Sequence, residues 1–132
     1  MQRNMDLIRA IAFKVEEATE AINSDEIKIE DYTDQQIGYH CELMHEGGLI
    51  DAMSIATMDS QFAELRIKRL TWEGHDFADA ARSDTIWNKV NGAVKTGAAS
   101  VTFDTLKGLL TTAAGHAVNL GIAASQGYMA TT

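Results

Sequence analysis

The sequence predicts an α+β chain, mainly helical, in the order helix, short strand, helix, β-hairpin and then three further helices. Three observations carry this expectation. Apolar residues recur at three- and four-residue steps near the amino terminus. A Thr-x-x-Gln capping box and a Gly-Gly stop bracket a second helical stretch, from Thr33 to Gly48. Between Leu49 and Thr71 the period switches from helical to alternating, as paired strands require.

The first helix follows from Leu7, Ile8, Ile11, Val15, Ala18 and Ile22, which share one face, while Arg9, Lys14, Glu16, Glu17 and Glu20 hold the other. Asn4 is placed to cap it, Asp6 lies near the positive end of its dipole, and Asn23-Ser24-Asp25 ends it. Ile27 and Ile29 then alternate with Lys28 and Glu30, enough for one short strand in IKIEDY. The second helix begins at Asp34 and runs to about Glu46, with Ile37, Cys41 and Met44 at i, i+4 and i+7 as its buried stripe. Gly47-Gly48 closes it, because glycine enters the left-handed region without a Cβ penalty.

Leu49, Met53 and Ile55 lead to a polar tip at Thr57 to Gln61, and Leu65 and Ile67 return with Arg66 and Lys68 between them, a hairpin with a loose loop. Thr71 caps a helix over Trp72 to Ala81 with Phe77, Ala80 and Ala81 inward. Ser83-Asp84 opens another, carrying Ile86, Val90, Ala93 and Val94 and stopped by Gly97. Thr102 caps the last, through Leu106, Leu109, Leu110, Ala113, Ala117 and Leu120, which carries hardly any charge. Such a helix either wraps into its own domain or joins two copies as a homodimer.

At 132 residues the chain fits one domain, 1–132, with a core over 1–71, a helical extension over 72–121 and a loose tail over 122–132. No apolar run approaches the roughly 20 residues that span a bilayer, and charges interrupt the apolar positions of the amino terminus. Neither a membrane anchor nor a secretory signal is expected. A single cysteine, Cys41, excludes an internal disulfide and a multi-cysteine zinc site, and suits a reducing cytoplasm. Net charge is −8, and Met1 to Gly48 carries four basic residues against eleven acidic ones. That sign repels phosphate and anionic lipid, because binding either rests on Lys and Arg displacing counterions.

The stretch IGYHCELMHEGGLI resembles the "SxHLxxLxxAGL" segment of the arsenic-repressor and multiple-antibiotic-resistance repressor classes, where the helix lies in the major groove and the hairpin is the wing. More of the chain enters a second likeness. RNMDLIRAI, QIGYHCELMHEGGLI, RLTWEGHDFADAARSDTIWNKV and SVTFDTLKGL resemble, in that order and over nearly the whole chain, a family of small phage and prophage proteins, domain of unknown function 2513. This likeness implies a winged-helix-like core over 1–71 and a mobile-element setting in the cytoplasm of a bacterial host. The chain departs from a standard winged helix in one respect: about ten residues separate Ile22 from Thr33, too few for a separate supporting helix and its turn.

Candidate functional residues sort by face. Opposite the buried stripe, the second helix displays Gln35, Tyr39, Glu42, His45 and Glu46, read as a protein-facing or simply solvated surface because two carboxylates without Lys or Arg oppose a phosphate backbone. The alternative reading, a DNA-binding regulator acting as a dimer, places Gln35, Gln36 and Tyr39 at bases and Arg66, Lys68 and Arg69 on phosphates. Against it, those three cations also serve to guard an edge strand from association. Cys41 and His45 have the i, i+4 spacing of a metal pair, yet Cys41 sits on the buried stripe and is read as core. His40 is expected to be tucked under the hairpin, bonded to backbone.

Glu73, His75, Asp76 and Asp79 form the densest cluster of metal-ligating or acid-base side chains, with His75 and Asp79 at i, i+4, but the helix dipole alone explains acidic residues in a first turn, and Trp72 with Phe77 is expected to anchor the hairpin to the core. No nucleophile elbow, Walker loop, Rossmann glycine pattern or paired-carboxylate constellation occurs. The sequence therefore points to a non-catalytic interaction protein without metal or cofactor. Its expected occupant is a protein partner, with nucleic acid second.

Overall fold

The computed structural model describes residues 1–95 and 105–112, an α+β arrangement dominated by helix. Helix α1 spans Met5–Glu17, strand β1 Ile22–Asn23, α2 Asp34–Glu46, β2 Ile50–Ser54, β3 Leu65–Leu70, α3 Trp72–Ala80 and α4 Asp84–Lys95. Residues 105–112 form α5. The chain divides into two compact units, Met1–Ala78 and Asp79–Thr132. No described helix is long and apolar enough to cross a membrane.

Asn4 caps α1 as its position suggests, its side chain accepting from the Leu7 N–H at 3.2 Å. Leu7, Ile8, Ile11, Ala12 and Val15 are buried. The helix stops earlier than its apolar period, however. Ala18 is extended at ψ 137°, its N–H bonds the Val15 carbonyl at 3.2 Å, and Ile22 pairs opposite Ile67 as β1. Strand pairing with β3 takes Ile22 out of the helix, so tertiary context overrides its helical spacing.

The strand expected in IKIEDY is therefore displaced to Ile22–Asn23. Ser24–Glu26 forms a single 3-10 turn, and the Ser24 hydroxyl accepts from the Leu65 N–H at 3.0 Å, ending the β1–β3 ladder. Ile27 is buried and Lys28 exposed, but the segment joins no strand of the sheet. Instead Asp31 takes a left-handed φ of 74°, and the Tyr32 N–H reaches the Ile29 carbonyl at 3.2 Å.

Helix α2 has the bounds its sequence signals predict. The Thr33 hydroxyl accepts from the Gln36 N–H at 3.1 Å while Gln36 Oε1 accepts from the Thr33 N–H at 2.9 Å. At the other end Gly48 has φ 79°, the Leu49 N–H reaches the Met44 carbonyl at 2.8 Å, and the Gly48 N–H reaches that of His45 at 3.1 Å. These bonds form a Schellman stop. Ile37, Cys41 and Met44 are buried, joined by Gly38 and His40.

The three strands form an antiparallel sheet in the order β1-β3-β2. In β2 the inward residues are Ile50 and Ala52, whereas Met53 is 54% exposed, one position out of phase with the expected alternation. The Schellman turn sets this phase by burying Leu49 before the strand begins at Ile50. In β3, Asp51 faces Arg69 but Ala52 faces Ile67, so Lys68 is an extra residue in a β-bulge. Strict alternation would send Arg69 inward and Leu70 outward. The bulge corrects the phase: Leu65, Ile67 and Leu70 are buried while Arg66, Lys68 and Arg69 all face out.

Thr71 caps α3, its hydroxyl accepting from the Gly74 N–H at 3.0 Å and donating to the Gly48 carbonyl. Gly74, Phe77 and Ala78 form the inward stripe, with Gly74 seated on the Leu49 carbonyl where a Cβ would collide. Ala78, not Ala80, is fully buried. Trp72 lies two positions before Gly74, on the opposite side of the helix, and is 81% exposed; only Phe77 of the expected anchoring pair goes inward.

In the second unit Ser83 caps α4, accepting from the Ile86 N–H at 3.2 Å. The buried positions are Trp87 and Asn91, while Ile86, Val90 and Ala93 are half-buried, again a stripe shifted by one residue. In α5, Leu106 and Leu110 are buried and Leu109 is 39% exposed. The side chain of Val94, together with Gly97, Thr102, Ala113, Ala117, Leu120 and the tail over 122–132, lies outside the described residues.

Candidate interaction face on the second helix

The capping box and the Schellman stop fix where α2 begins and ends, and the buried stripe fixes its rotation. Gln35, Glu42, His45 and Glu46 are consequently exposed and Tyr39 half-exposed, the face that the spacing predicts. This face is not a bare helix. The hairpin loop folds back on it, enclosing a groove of about 360 Å³ lined by Gln35, Tyr39 and Glu42 from the helix and by Thr57, Gln61 and Phe62 from the loop. Gly38 permits the approach: a Cβ there would collide with the Ala63 carbonyl oxygen and touch the Phe62 ring at 3.6 Å.

Charge on this face is one-sided. No Lys, Arg or His lines the groove, and Glu42 and Glu46 have no ion-pair partner among the described residues. At the start of α2, Lys28 is engaged, its Nζ binding Asp34 at 2.9 Å. Gln36 is not available as a base reader, because its Oε1 is held by the Thr33 N–H and hydroxyl.

Beneath the face, His40 locks α2 to α1. Its Nε2 accepts from the Asn4 N–H at 2.8 Å, so Nδ1 carries the proton and donates to the Gln36 carbonyl at 2.7 Å. Asn4 Nδ2 continues the chain to the Tyr32 hydroxyl at 3.3 Å. Burial lowers the His40 pKa, opposed by the bond to Gln36, and the neutral ring is the form that can accept from Asn4. The backbone bonds expected for His40 are present, but they lie at the amino end of α1 and not under the hairpin. The Tyr39 ring packs edge-on to that of His40, with centroids 5.5 Å apart, which orients it in the groove.

Cys41 and His45 do not converge. Cys41 is fully buried and burial pushes its thiol up to about 12, whereas His45 is exposed with Nδ1 3.5 Å from the Ile50 carbonyl. Glu73, His75, Asp76 and Asp79 are all exposed along α3, and Asp79 pairs with Arg82 at 2.7 Å. Among the described residues no three His, Cys, Asp or Glu side chains gather as a metal would need.

The sheet brings Arg66, Lys68 and Arg69 together on its outer face, opposite the side that buries Leu65, Ile67 and Leu70. They do not guard an edge, because β3 is the central strand. Two of the three are engaged within the sheet: Arg66 Nη1 donates to Asn23 Oδ1 at 2.9 Å, and Arg69 lies 3.6 Å from Asp51 and donates to the Leu70 carbonyl. The sequence missed the loop over α2 and the role of Gly38. A glycine inside an otherwise good helix was the available signal.

A sequence model of the family described as "Hypothetical protein (DUF2513)" matches residues 2–100. The chain is also 33% identical over 110 residues to an uncharacterized protein of Haemophilus influenzae, covering 81% of this chain and 90% of the relative. No solved structure matches.

Proposed function

The chain belongs to the family described as hypothetical protein (DUF2513), and within it we propose a non-catalytic accessory protein that docks a protein partner on the outer face of α2. The setting we propose is a phage or prophage one, in the cytoplasm of a bacterial host. The order α1, β1, α2, β2, β3 with sheet order β1-β3-β2 supports reading residues 1–71 as a winged-helix-like core whose supporting helix has shrunk to the Ser24–Glu26 turn. Such a core usually offers α2 to DNA.

The observation that turns the reading toward protein is the groove over α2. Its lining holds no Lys, Arg or His side chain, its exposed carboxylates are unpaired, and the hairpin loop rests against α2 at Gly38. The DNA-binding alternative rests on Arg66, Lys68 and Arg69, of which only Lys68 lacks a partner among the described residues. Gln36, its second base reader, is held in the capping box.

Fluorescence anisotropy with random and phage-derived duplexes at low salt tests this directly. The protein-facing reading expects no binding. Micromolar affinity that weakens with salt and with Arg66→Ala establishes the DNA reading instead. A homodimer through the last helix is a separate part of the proposal, which light scattering on the full chain reads: a monomer removes it.

A further inference from the structure

We propose that the groove between α2 and the hairpin loop takes a cationic side chain, an arginine of the partner, as its anchoring contact. The inference rests on the protein-facing reading of α2 and adds the chemistry of what enters. Four features of the groove select that chemistry.

Glu42 supplies a full negative charge at the rim and has no ion-pair partner among the described residues. Tyr39 from the helix and Phe62 from the loop both line the groove, and aromatic side chains are groups on which a guanidinium stacks while its aliphatic stem stays out of water. Gln35 and Gln61 add carbonyl oxygens that accept from the remaining guanidinium N–H groups. No Lys, Arg or His side chain lines the space, although Met1 at the amino terminus does.

The groove is also held open by the fold. Gly38 lets the loop rest on the helix backbone, and the edge-on contact with His40 fixes the direction of the Tyr39 ring. His40 in turn is held at both ring nitrogens by backbone groups of Asn4 and Gln36. A site whose walls are set before the ligand arrives loses less on binding it. Arginine suits the groove better than lysine, because a planar fork satisfies a carboxylate, two amide oxygens and a ring face at once.

The test is a two-dimensional amide NMR titration of the full chain with Nα-acetylargininamide, and separately with its uncharged isostere Nα-acetylcitrullinamide. Because one small side chain reaches only millimolar affinity, titration extends to about 100 mM. The arginine probe is expected to give saturable shifts at Gln35, Tyr39, Glu42 and Gln61, with citrulline weaker by about five-fold or more. Glu42→Gln, an exposed substitution, should remove the difference between the two probes, and Tyr39→Leu should weaken the arginine probe alone. Shifts that are absent, unsaturable, equal for both probes or unaltered in Glu42→Gln overturn the proposal. If the arginine probe fails while duplex DNA still does not bind, the cation is wrong and the protein-facing helix stands; if duplex DNA binds, the reading beneath is what failed.

Discussion

The outer face of α2 and the outer face of β3 both point away from the core of the first unit and carry opposite charge, and they differ in what they do with it. On β3 the sheet consumes most of its own cations: Arg66 is bonded to Asn23 and Arg69 sits beside Asp51. On α2 the carboxylates of Glu42 and Glu46 are left without ion-pair partners among the described residues, beside a groove without a basic side chain. Exposed ion pairs add little stability, so the difference matters little for folding. The charge left uncompensated on α2 is negative, and it lies beside a groove.

That contrast requires α2 to have one face committed to the core and one free of it. Ile37→Ala on the inner face should lower stability by about 3 kcal/mol, because a fully buried side chain is lost from a close-packed site. Glu42→Ala should change it by less than about 0.5 kcal/mol. Urea denaturation compares them, and equal losses would break the two-face description. Gly38→Ala is expected to cost about 1–2 kcal/mol, since its methyl must displace the Ala63 carbonyl, and it should also disturb the groove. Shifts in the loop amides would report that displacement; an unchanged loop contradicts the seating described for it.

His40 gives a pH signature to the layer beneath the groove. Its folded pKa is lowered, so the unfolded chain takes up a proton that the folded chain refuses as pH falls through about 6.5. The contribution is therefore complete above that pH and lost below it. Wild-type stability should fall between about pH 7 and 5.5 from this group, and His40→Gln should flatten the slope. Urea midpoints at the two pH values measure it, and an identical slope in the variant contradicts the assignment. The smallest expected effect is that of Arg66→Ala, about 0.5 kcal/mol or less, since its bond to Asn23 is exposed. A thermal scan checks it.

The parts of this arrangement that were legible in the sequence are those fixed by local chemistry. The capping box at Thr33, the Gly-Gly stop and the Ile37-Cys41-Met44 stripe set α2 without reference to the rest of the chain. Where pairing partners decide, local patterns mislead. Ile22 fits the period of α1 but belongs to β1, and IKIEDY alternates yet pairs with no strand. Met53 appears inward by alternation until the turn sets the phase at Ile50, and Trp72 appears to be an anchor until Gly74 sets the rotation of α3.

The β3 bulge lies between these cases. LRIKRL breaks strict alternation in a way that only an extra residue repairs, and Lys68 is that residue. The outward residues of the candidate face were readable because α2 was readable. The groove was not, because it depends on a loop meeting a glycine 25 positions earlier in the chain, Ala63 on Gly38.

Site-specific photo-cross-linking compares the two faces in one experiment. A benzophenone side chain placed at Tyr39 on α2, and in a second protein at Lys68 on β3, is illuminated in the native cells. The account predicts a discrete protein adduct from position 39 that disappears with Glu42→Arg, and none from position 68. Adducts to nucleic acid, or a protein adduct from position 68 with none from position 39, would contradict it.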